Sequence, residues 1–204
     1  MNKVDAGHAC PVSFARRGGM RLIEGTSPKL QRRVRLYSYA NFAIWIGLEA
    51  SPEVTAFCEY PVRTGPNTSD PIVDFWVRTK DRDEYLVSPD HPSGIDWPAQ
   101  LNGRTLRQVT DAEIAASGQF VRNWEFILSA LNGQEPISDA HGLVKKIANT
   151  VQSPMTLAEI ERQNSSSGTP LVRACVFHLL RMGRLSAPSL RDQSLSNLTV
   201  LVTP

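Results

Sequence analysis

The residues best suited to chemistry lie between 70 and 92, in the stretch DPIVDFWVRTKDRDEYLVSPDHP. Its pattern predicts two extended strands, 72–78 and 84–87, joined by a charged turn, with Asp74 inside the first strand. A carboxylate here, followed on the next strand by an acid or amide and a lysine, is how many metal-dependent nucleases hold Mg²⁺ beside a phosphate. In this chain Ser88 and Asp90 stand where that second pair would fall. Asp74 alone is not enough to hold the ion, since a single carboxylate cannot complete its coordination.

Other reactive side chains form no recognisable catalytic set. Ser38, Ser88, Asp90 and His91 show no Gly-x-Ser-x-Gly turn that would present a nucleophile. The three cysteines are odd in number and far apart, with no Cys-x-x-Cys pair, which argues against disulfides and structural zinc.

The charge is unevenly distributed along the chain. Residues 1–40 hold eight lysines and arginines against two acids, whereas residues 41–96 hold ten acids against four bases. A basic arm of this kind can contact a phosphate backbone, although a solvated terminus has the same composition. The arginines that we consider for DNA contact in this half are Arg16, Arg17, Arg32, Arg33 and Arg35.

The pattern predicts two folded domains after a flexible basic arm at 1–29. Helical spacing begins at Leu30 and continues to Glu49, and it is followed by a strand at 54–62, the hairpin at 72–87 and a fourth strand at 104–109. A capping box at 110–113 starts a helix, and 120–131 forms a further helix. We expect residues 30–134 to form an α/β domain, in which Glu49 is a solvated residue at the end of an apolar helix and Glu59 ends a strand.

Residues 139–204 are predicted to form a second domain of three helices and a β-hairpin, the winged-helix arrangement. The third helix carries a broad apolar face between Leu171 and Leu180, and the hairpin strands are expected at 184–188 and 197–202. Arg173, Arg181 and Arg184 could meet phosphates. Because this region holds only five arginines and three acids from 153 onward, DNA contact and protein docking both stay open.

The run YSYANFAIWIGLEASPEVTAFCEYPVRTG, continued by DPIVDFWVRTKDRDEYLV, resembles the N-terminal domain of TnsA, the endonuclease subunit of heteromeric transposases. The similarity covers about residues 35–131, including the tail RTLRQVTDAEI and NWEFIL, and the winged-helix part also fits the family. The resemblance implies a restriction-endonuclease-like fold of the PD-(D/E)xK class, followed by a winged helix.

The resemblance also implies positions for the catalytic residues. Asp74 matches the metal-binding aspartate of active members, and Asn41 falls at their first glutamate. Ser88 and Asp90 replace their acid or amide and their lysine, and Lys80 lies on the hairpin turn, which should point away from the site. We therefore expect a member that has lost cleavage, without a cofactor, or with Mg²⁺ on Asp74 if it is active.

The expected function is that of a DNA-binding and assembly subunit of a transposition machinery, with DNA, a DDE-type transposase and an AAA+ regulator as partners. One alternative is an active Mg²⁺-dependent endonuclease that cuts transposon ends, and another is a winged-helix DNA-binding regulator. The longest apolar run, residues 42–48, is too short to span a bilayer, so a cytoplasmic protein with no membrane partner is expected.

Overall fold

A computed structural model describes residues 10–14, 21–133 and 141–204. The chain divides into two compact units. Unit 1 comprises the described residues up to Glu49 together with Glu53–Ala116, and unit 2 comprises Ala50–Pro52 and Ser117–Pro204. The chain is thus a mixed α/β protein.

Unit 1 is built on a hairpin, one long helix and a five-stranded sheet. Its elements are β1 (Ile23–Ser27), β2 (Arg32–Leu36), α1 (Tyr39–Ala50), β3 (Ala56–Glu59), β4 (Phe75–Arg78), β5 (Asp83–Val87), β6 (Gln100–Leu101), β7 (Arg104–Gln108) and α2 (Asp111–Ala116). The sheet order is β3-β4-β5-β7-β6, in which only β5 and β7 are parallel. The predicted hairpin and fourth strand are confirmed, but Asp74 lies directly before β4 rather than inside it.

The helix predicted to begin at Leu30 is wrong over its first part, because β1 and β2 form an antiparallel hairpin. Val34 and Leu36 are fully buried while Arg33 and Arg35 are exposed, which is the two-residue period of a strand. The same hairpin corrects the flexible arm for residues 23–27. The remainder of that arm, apart from 10–14, 21 and 22 and the turn before β2, lies outside the described residues.

Glu59 ends strand β3, as predicted, whereas the expectation that Glu49 is solvated is wrong. Both are fully buried acids with partners. The hydroxyl of Ser27 donates to Glu49, and the backbone N–H of Lys29 donates to the same carboxylate at 3.3 Å. The guanidinium of Arg32 grips Glu59 with both terminal nitrogens, at 2.5 and 2.6 Å. Each buried charge is therefore compensated, as burial requires.

Asp83 ties together three strands at the far end of the hairpin from Asp74. Its carboxylate accepts from Arg104 at 2.7 Å, from the indole of Trp76 at 2.5 Å and from Arg78 at 3.0 Å. Desolvation acts to raise the pKa of Asp83, but these hydrogen bonds outweigh it and hold the pKa below its ordinary value. The contacts stabilise the register of β4, β5 and β7.

Unit 2 is mainly helical. Its elements are α3 (Gly118–Asn132), α4 (His141–Thr150), β8 (Met155–Thr156), α5 (Leu157–Gln163), α6 (Thr169–Arg181) and β9 (Val200–Leu201), with short 3₁₀ turns at Ser165–Ser167 and Pro188–Arg191. Helix α6 packs against α3, α4 and α5. Helix α3, which the sequence placed in the first domain, belongs to this unit because its apolar face packs on α6.

The predicted hairpin of unit 2 is corrected in detail. β9 pairs with β8, the short strand between α4 and α5, and residue 186 joins residue 202 only through a two-residue bridge. The 3₁₀ turn after Ala187 breaks the first predicted strand. Asn123 on α3 holds the following segment by donating to the carbonyls of Leu190 and Gln193, at 2.8 and 2.7 Å.

Within the described ranges, no helix is both long and apolar enough to span a bilayer.

Two ion pairs on β2 allow a matched test of burial. Arg32→Ala leaves the Glu59 carboxylate buried without its partner, so we expect the free energy of unfolding to fall by about 3 kcal/mol. Arg35→Ala removes the exposed pair with Glu24, and we expect a loss below about 0.5 kcal/mol. Urea denaturation of the two variants measures the difference. Equal losses would contradict the buried pair.

Candidate functional site

The candidate site forms where three elements of unit 1 end. Asp74 leads into β4, Asn41 lies in the first turn of α1, and Ser88 directly follows β5. The antiparallel pairing of β4 with β5 places Phe75 opposite Leu86, which brings the residues just beyond them together. Residues far apart in sequence thus meet at one edge of the sheet.

Three donors surround the carboxylate of Asp74, which is 4% exposed. The side-chain amide of Asn41 donates to Oδ1 at 2.7 Å, and the backbone N–H of Ser88 donates to Oδ2 at 2.7 Å. Nε2 of His91 lies 2.8 Å from the same Oδ2, and the tautomer with its proton on Nε2 is the one that donates to a carboxylate. Both carboxylate oxygens of Asp74 therefore have hydrogen-bond partners.

Ser38 fixes the orientation of Asn41. It precedes α1, and its hydroxyl accepts the backbone N–H of Asn41 at 3.0 Å while donating to the Asn41 side-chain oxygen. With that oxygen occupied, the NH₂ group of Asn41 faces Asp74. The opposite orientation would bring two oxygens together, so the hydrogen-bond network determines the assignment.

This arrangement does not fit Mg²⁺, which takes near-octahedral oxygen ligands. Asn41 presents nitrogen to Asp74, and both carboxylate oxygens of Asp74 already accept hydrogen bonds. Asp90 lines the same pocket, but Lys80 is exposed on the hairpin turn, as its sequence position predicted. In the part of the chain that the structure describes, no three His, Cys, Asp or Glu side chains are grouped to hold a metal ion.

Asp74 lies at the base of a pocket of about 290 Å³. The pocket brings together all four residues that the resemblance implicated, Asn41, Asp74, Ser88 and Asp90, and adds His91. The rest of its lining consists of Phe14, Tyr37, Ser38, Tyr60, Arg63, Thr68, Ser69, Asp70, Pro71, Ile72, Pro92 and Ile95. This lining is part aromatic and part polar, which is typical of ligand pockets.

An aromatic cluster forms one side of the pocket. The ring of Phe14 contacts Tyr37 edge-on at 5.3 Å and Tyr60 at 5.0 Å between centroids. Tyr60 has a φ of +48°, which is costly for a side chain of this size, and its N–H donates to the Asp74 carbonyl at 2.7 Å. Burial raises the pKa of the Tyr60 phenol, and the charge of Asp74 raises it further, so the ring stays neutral.

One buried polar atom of the pocket has no partner. Ser88 is 4% exposed, and its hydroxyl makes no hydrogen bond with any described residue. Its backbone N–H, in contrast, donates to Asp74.

The thiol of Cys58 lies in the core beside β4, where burial raises its pKa to about 12 and keeps it protonated.

Two arginines expected to contact DNA are already engaged. Arg32 is paired with buried Glu59, and this pairing corrects its assignment to the free basic arm. On α6, Nε of Arg173 donates to Glu161, and its guanidinium also donates to Asn197 at 2.6 Å. Both side chains stabilise their own unit.

The other predicted DNA contacts differ in exposure. Arg33, Arg35 and Arg184 are exposed, while Arg181 is half-buried with its Nε unpaired among the described residues. Arg16 and Arg17 lie outside the described residues. Of the three arginines on β2, only Arg33 and Arg35 therefore contribute to an exposed basic surface.

Sequence reasoning missed His91 as the partner of Asp74. The signal that could have found it is the Ser-Pro-Asp-His stretch, in which a turn after β5 returns the chain toward the site within three residues. The role of Ser38 as the cap that orients Asn41 was missed because the helix was expected to begin before Ser38.

We expect Asn41→Asp to make stability depend on pH. It places a second carboxylate against Asp74, so the two cannot both ionise freely and one pKa is raised in the folded state. At pH 7 the free energy of unfolding should fall by about 3 kcal/mol, a shift of about two pKa units. The deficit should shrink as the pH falls from the raised pKa to below about 4, where both groups are protonated in either state.

The matched control is Asn41→Ala, which removes one donor to Asp74 without adding a charge and should show a smaller deficit at pH 7 and a weaker dependence on pH. Urea denaturation between pH 3 and 8 measures both variants. An Asn41→Asp protein as stable as the wild type at pH 7 would contradict the contact with Asp74.

Comparison of the chain with models of known protein families gives no match, and comparison with curated protein sequences gives none either.

Proposed function

We propose that this chain is a TnsA-like DNA-binding and assembly subunit of a transposition machinery, with a nuclease fold that does not cleave. The observation that carries the proposal is the engagement of Asp74 by Asn41, the Ser88 N–H and His91. Hydrogen-bond donors take the place around this carboxylate that a cation takes in an active nuclease. The site residues keep their positions, but hydrogen-bond donors instead of a cation balance the charge of Asp74.

The topology of unit 1 supports the nuclease-like part of the proposal. One helix precedes three antiparallel strands, and a further strand runs parallel to the third. Asn41, Asp74 and Ser88 occupy the helix and the two strand ends at which the resemblance implies the catalytic residues. The three positions converge on one pocket, although nearly fifty residues separate Asn41 from Ser88.

The element order of unit 2 supports a winged helix used for protein docking. A helix, a short strand, two helices and two extended segments follow one another, with β8 paired to β9. On α6 only Thr169 and Pro170, at its N-terminal end, are exposed, so that helix offers little surface to the DNA major groove. After α6, residues 182–204 contain two cations, Arg184 and Arg191, both exposed, which is a sparse set for a wing that tracks DNA.

This leaves DNA contact to unit 1 and protein contact to unit 2. The partners that we propose are the DDE-type transposase and the AAA+ regulator that the resemblance implies. Leu198, just before β9, and Val200, within it, are exposed apolar residues, and they suit a protein surface better than a phosphate backbone.

The first test is cleavage and metal response. Purified protein, alone and with the transposase of its element, should leave supercoiled plasmid intact in Mg²⁺ or Mn²⁺. Mn²⁺ should not raise the melting temperature of the wild type, but it should raise that of Asn41→Asp, in which two carboxylates adjoin. Metal-dependent nicking by the wild type that is lost in Asp74→Asn would overturn the proposal in favour of an active endonuclease.

The second test is the DNA-binding surface. Arg33 is exposed and has no acidic partner among the described residues, so Arg33→Ala should weaken binding to all duplex sequences. We expect a loss of three- to tenfold, with the salt slope reduced by about 1. Lys80→Ala removes the same charge from the hairpin turn and is the matched control. Fluorescence anisotropy measures both, and equal effects would contradict the assignment of β2.

A further inference from the structure

The pocket above Asp74 retains features that a silent nuclease site does not require. A degenerate metal site needs only satisfied polar groups, and Asp74, Asn41 and Ser38 satisfy one another. The aromatic cluster and the unpartnered hydroxyl of Ser88 take no part in that network. They suggest a ligand of their own.

The volume and the aromatic surface restrict the class of ligand. About 290 Å³ lies at the lower end of the range for small-molecule pockets, about 300–1,000 Å³. The rings of Tyr37 and Tyr60 are tilted by 37° at 5.6 Å and are not stacked on one another. Tyr37 is half-buried and lines the pocket, so it is available to a flat aromatic group.

Ser88 supplies a specific polar contact inside the pocket. A buried hydroxyl without a partner costs free energy, which a ligand recovers by bonding to it. The hydroxyl can donate or accept, as the edge of a nucleobase requires. Since the Ser88 N–H is already bonded to Asp74, the hydroxyl is the free group of this residue.

The polar side of the pocket offers a phosphate one cation, Arg63, in a lining that also holds the carboxylates of Asp70, Asp74 and Asp90. The loop 63–71 is held by a backbone bond from Thr64 to Pro71 at 2.9 Å, and Arg63 donates to the carbonyl of Asp70 at 3.0 Å. This bond uses one nitrogen of the Arg63 guanidinium, and no described residue bonds to the others. The hydroxyls of Thr68 and Ser69, both exposed, lie in the same part of the lining.

We propose that this pocket binds a single nucleotide. The base lies against Tyr37 with an edge on the Ser88 hydroxyl, and the phosphate lies at Arg63. That the nucleotide belongs to DNA, as an unpaired residue of a bound strand, rests on the proposed function. Extruded bases are held in this way, between aromatic groups and a few polar contacts.

The test titrates the full chain with dAMP, dCMP, deoxyribose 5′-phosphate and inorganic phosphate, followed by calorimetry. The two nucleotides should bind at least tenfold more tightly than deoxyribose 5′-phosphate, because stacking is lost without the base. Ser88→Ala should weaken nucleotide binding about fivefold while leaving thermal stability unchanged or raised, since it removes only an unpartnered group. Tyr37→Ala should weaken it about tenfold, and Tyr39→Ala, an exposed tyrosine outside the pocket, should have no effect.

A second arm uses duplexes that are identical except for one unpaired nucleotide. The duplex with the unpaired residue should bind more tightly in the wild type, and Ser88→Ala should remove that advantage. Nucleotides that bind no better than deoxyribose 5′-phosphate, or Ser88→Ala and Tyr37→Ala proteins that bind like the wild type, would overturn the inference. If nucleotides fail to bind but duplex DNA binds, the inference is wrong and the proposed function is unaffected. If nucleotides bind but DNA does not, the pocket inference holds and the proposed function is wrong.

Discussion

The neutralisation of one buried carboxylate organises the candidate site. Asp74 must find compensation for its burial, and it finds it in donors from the start of α1, the end of β5 and the turn after β5. These contacts connect a helix, two strands and a loop at a single point. Protein groups thus supply the compensation that the buried carboxylate requires.

Each buried acid of unit 1 accepts hydrogen bonds from its own set of donors. Glu49 accepts from Ser27 and the Lys29 backbone, and Glu59 accepts both arms of Arg32. These two networks position the β1–β2 hairpin against the helix and the sheet. They also occupy polar side chains, such as that of Arg32, which the sequence alone predicted to be free for DNA contact. Once Arg32 is assigned to Glu59, only the outward face of β2 remains basic.

Sequence patterns predicted the elements whose signals are local. The β4–β5 hairpin, strand β7 and the capping box at Thr110 follow from alternation and from nearby polar residues, and they are present. The β1–β2 hairpin was misassigned because Leu30 and Val34 fit a helical period when they are read together with α1. The true period of two is seen only when the exposure of Arg33 and Arg35 is known.

The contents of the pocket could be predicted only in part. Asn41, Asp74, Ser88 and Asp90 were found through the resemblance, which preserves the order of positions along the chain. His91, Ser38 and Tyr60 were not, since their contacts with Asp74 and with Asn41 depend on backbone turns and on a positive φ that residue types do not disclose. The unpaired state of the Ser88 hydroxyl is likewise a property of packing and not of sequence.

The claim that protein donors and not a metal ion balance Asp74 is tested most directly by anomalous diffraction from a wild-type crystal soaked in Mn²⁺. The account predicts no Mn²⁺ peak at Asp74, with the amide of Asn41 and Nε2 of His91 still within hydrogen-bond distance of its carboxylate. An Mn²⁺ ion bound to Asp74, with Asn41 turned to present its oxygen or with Asp90 as a second ligand, would contradict it.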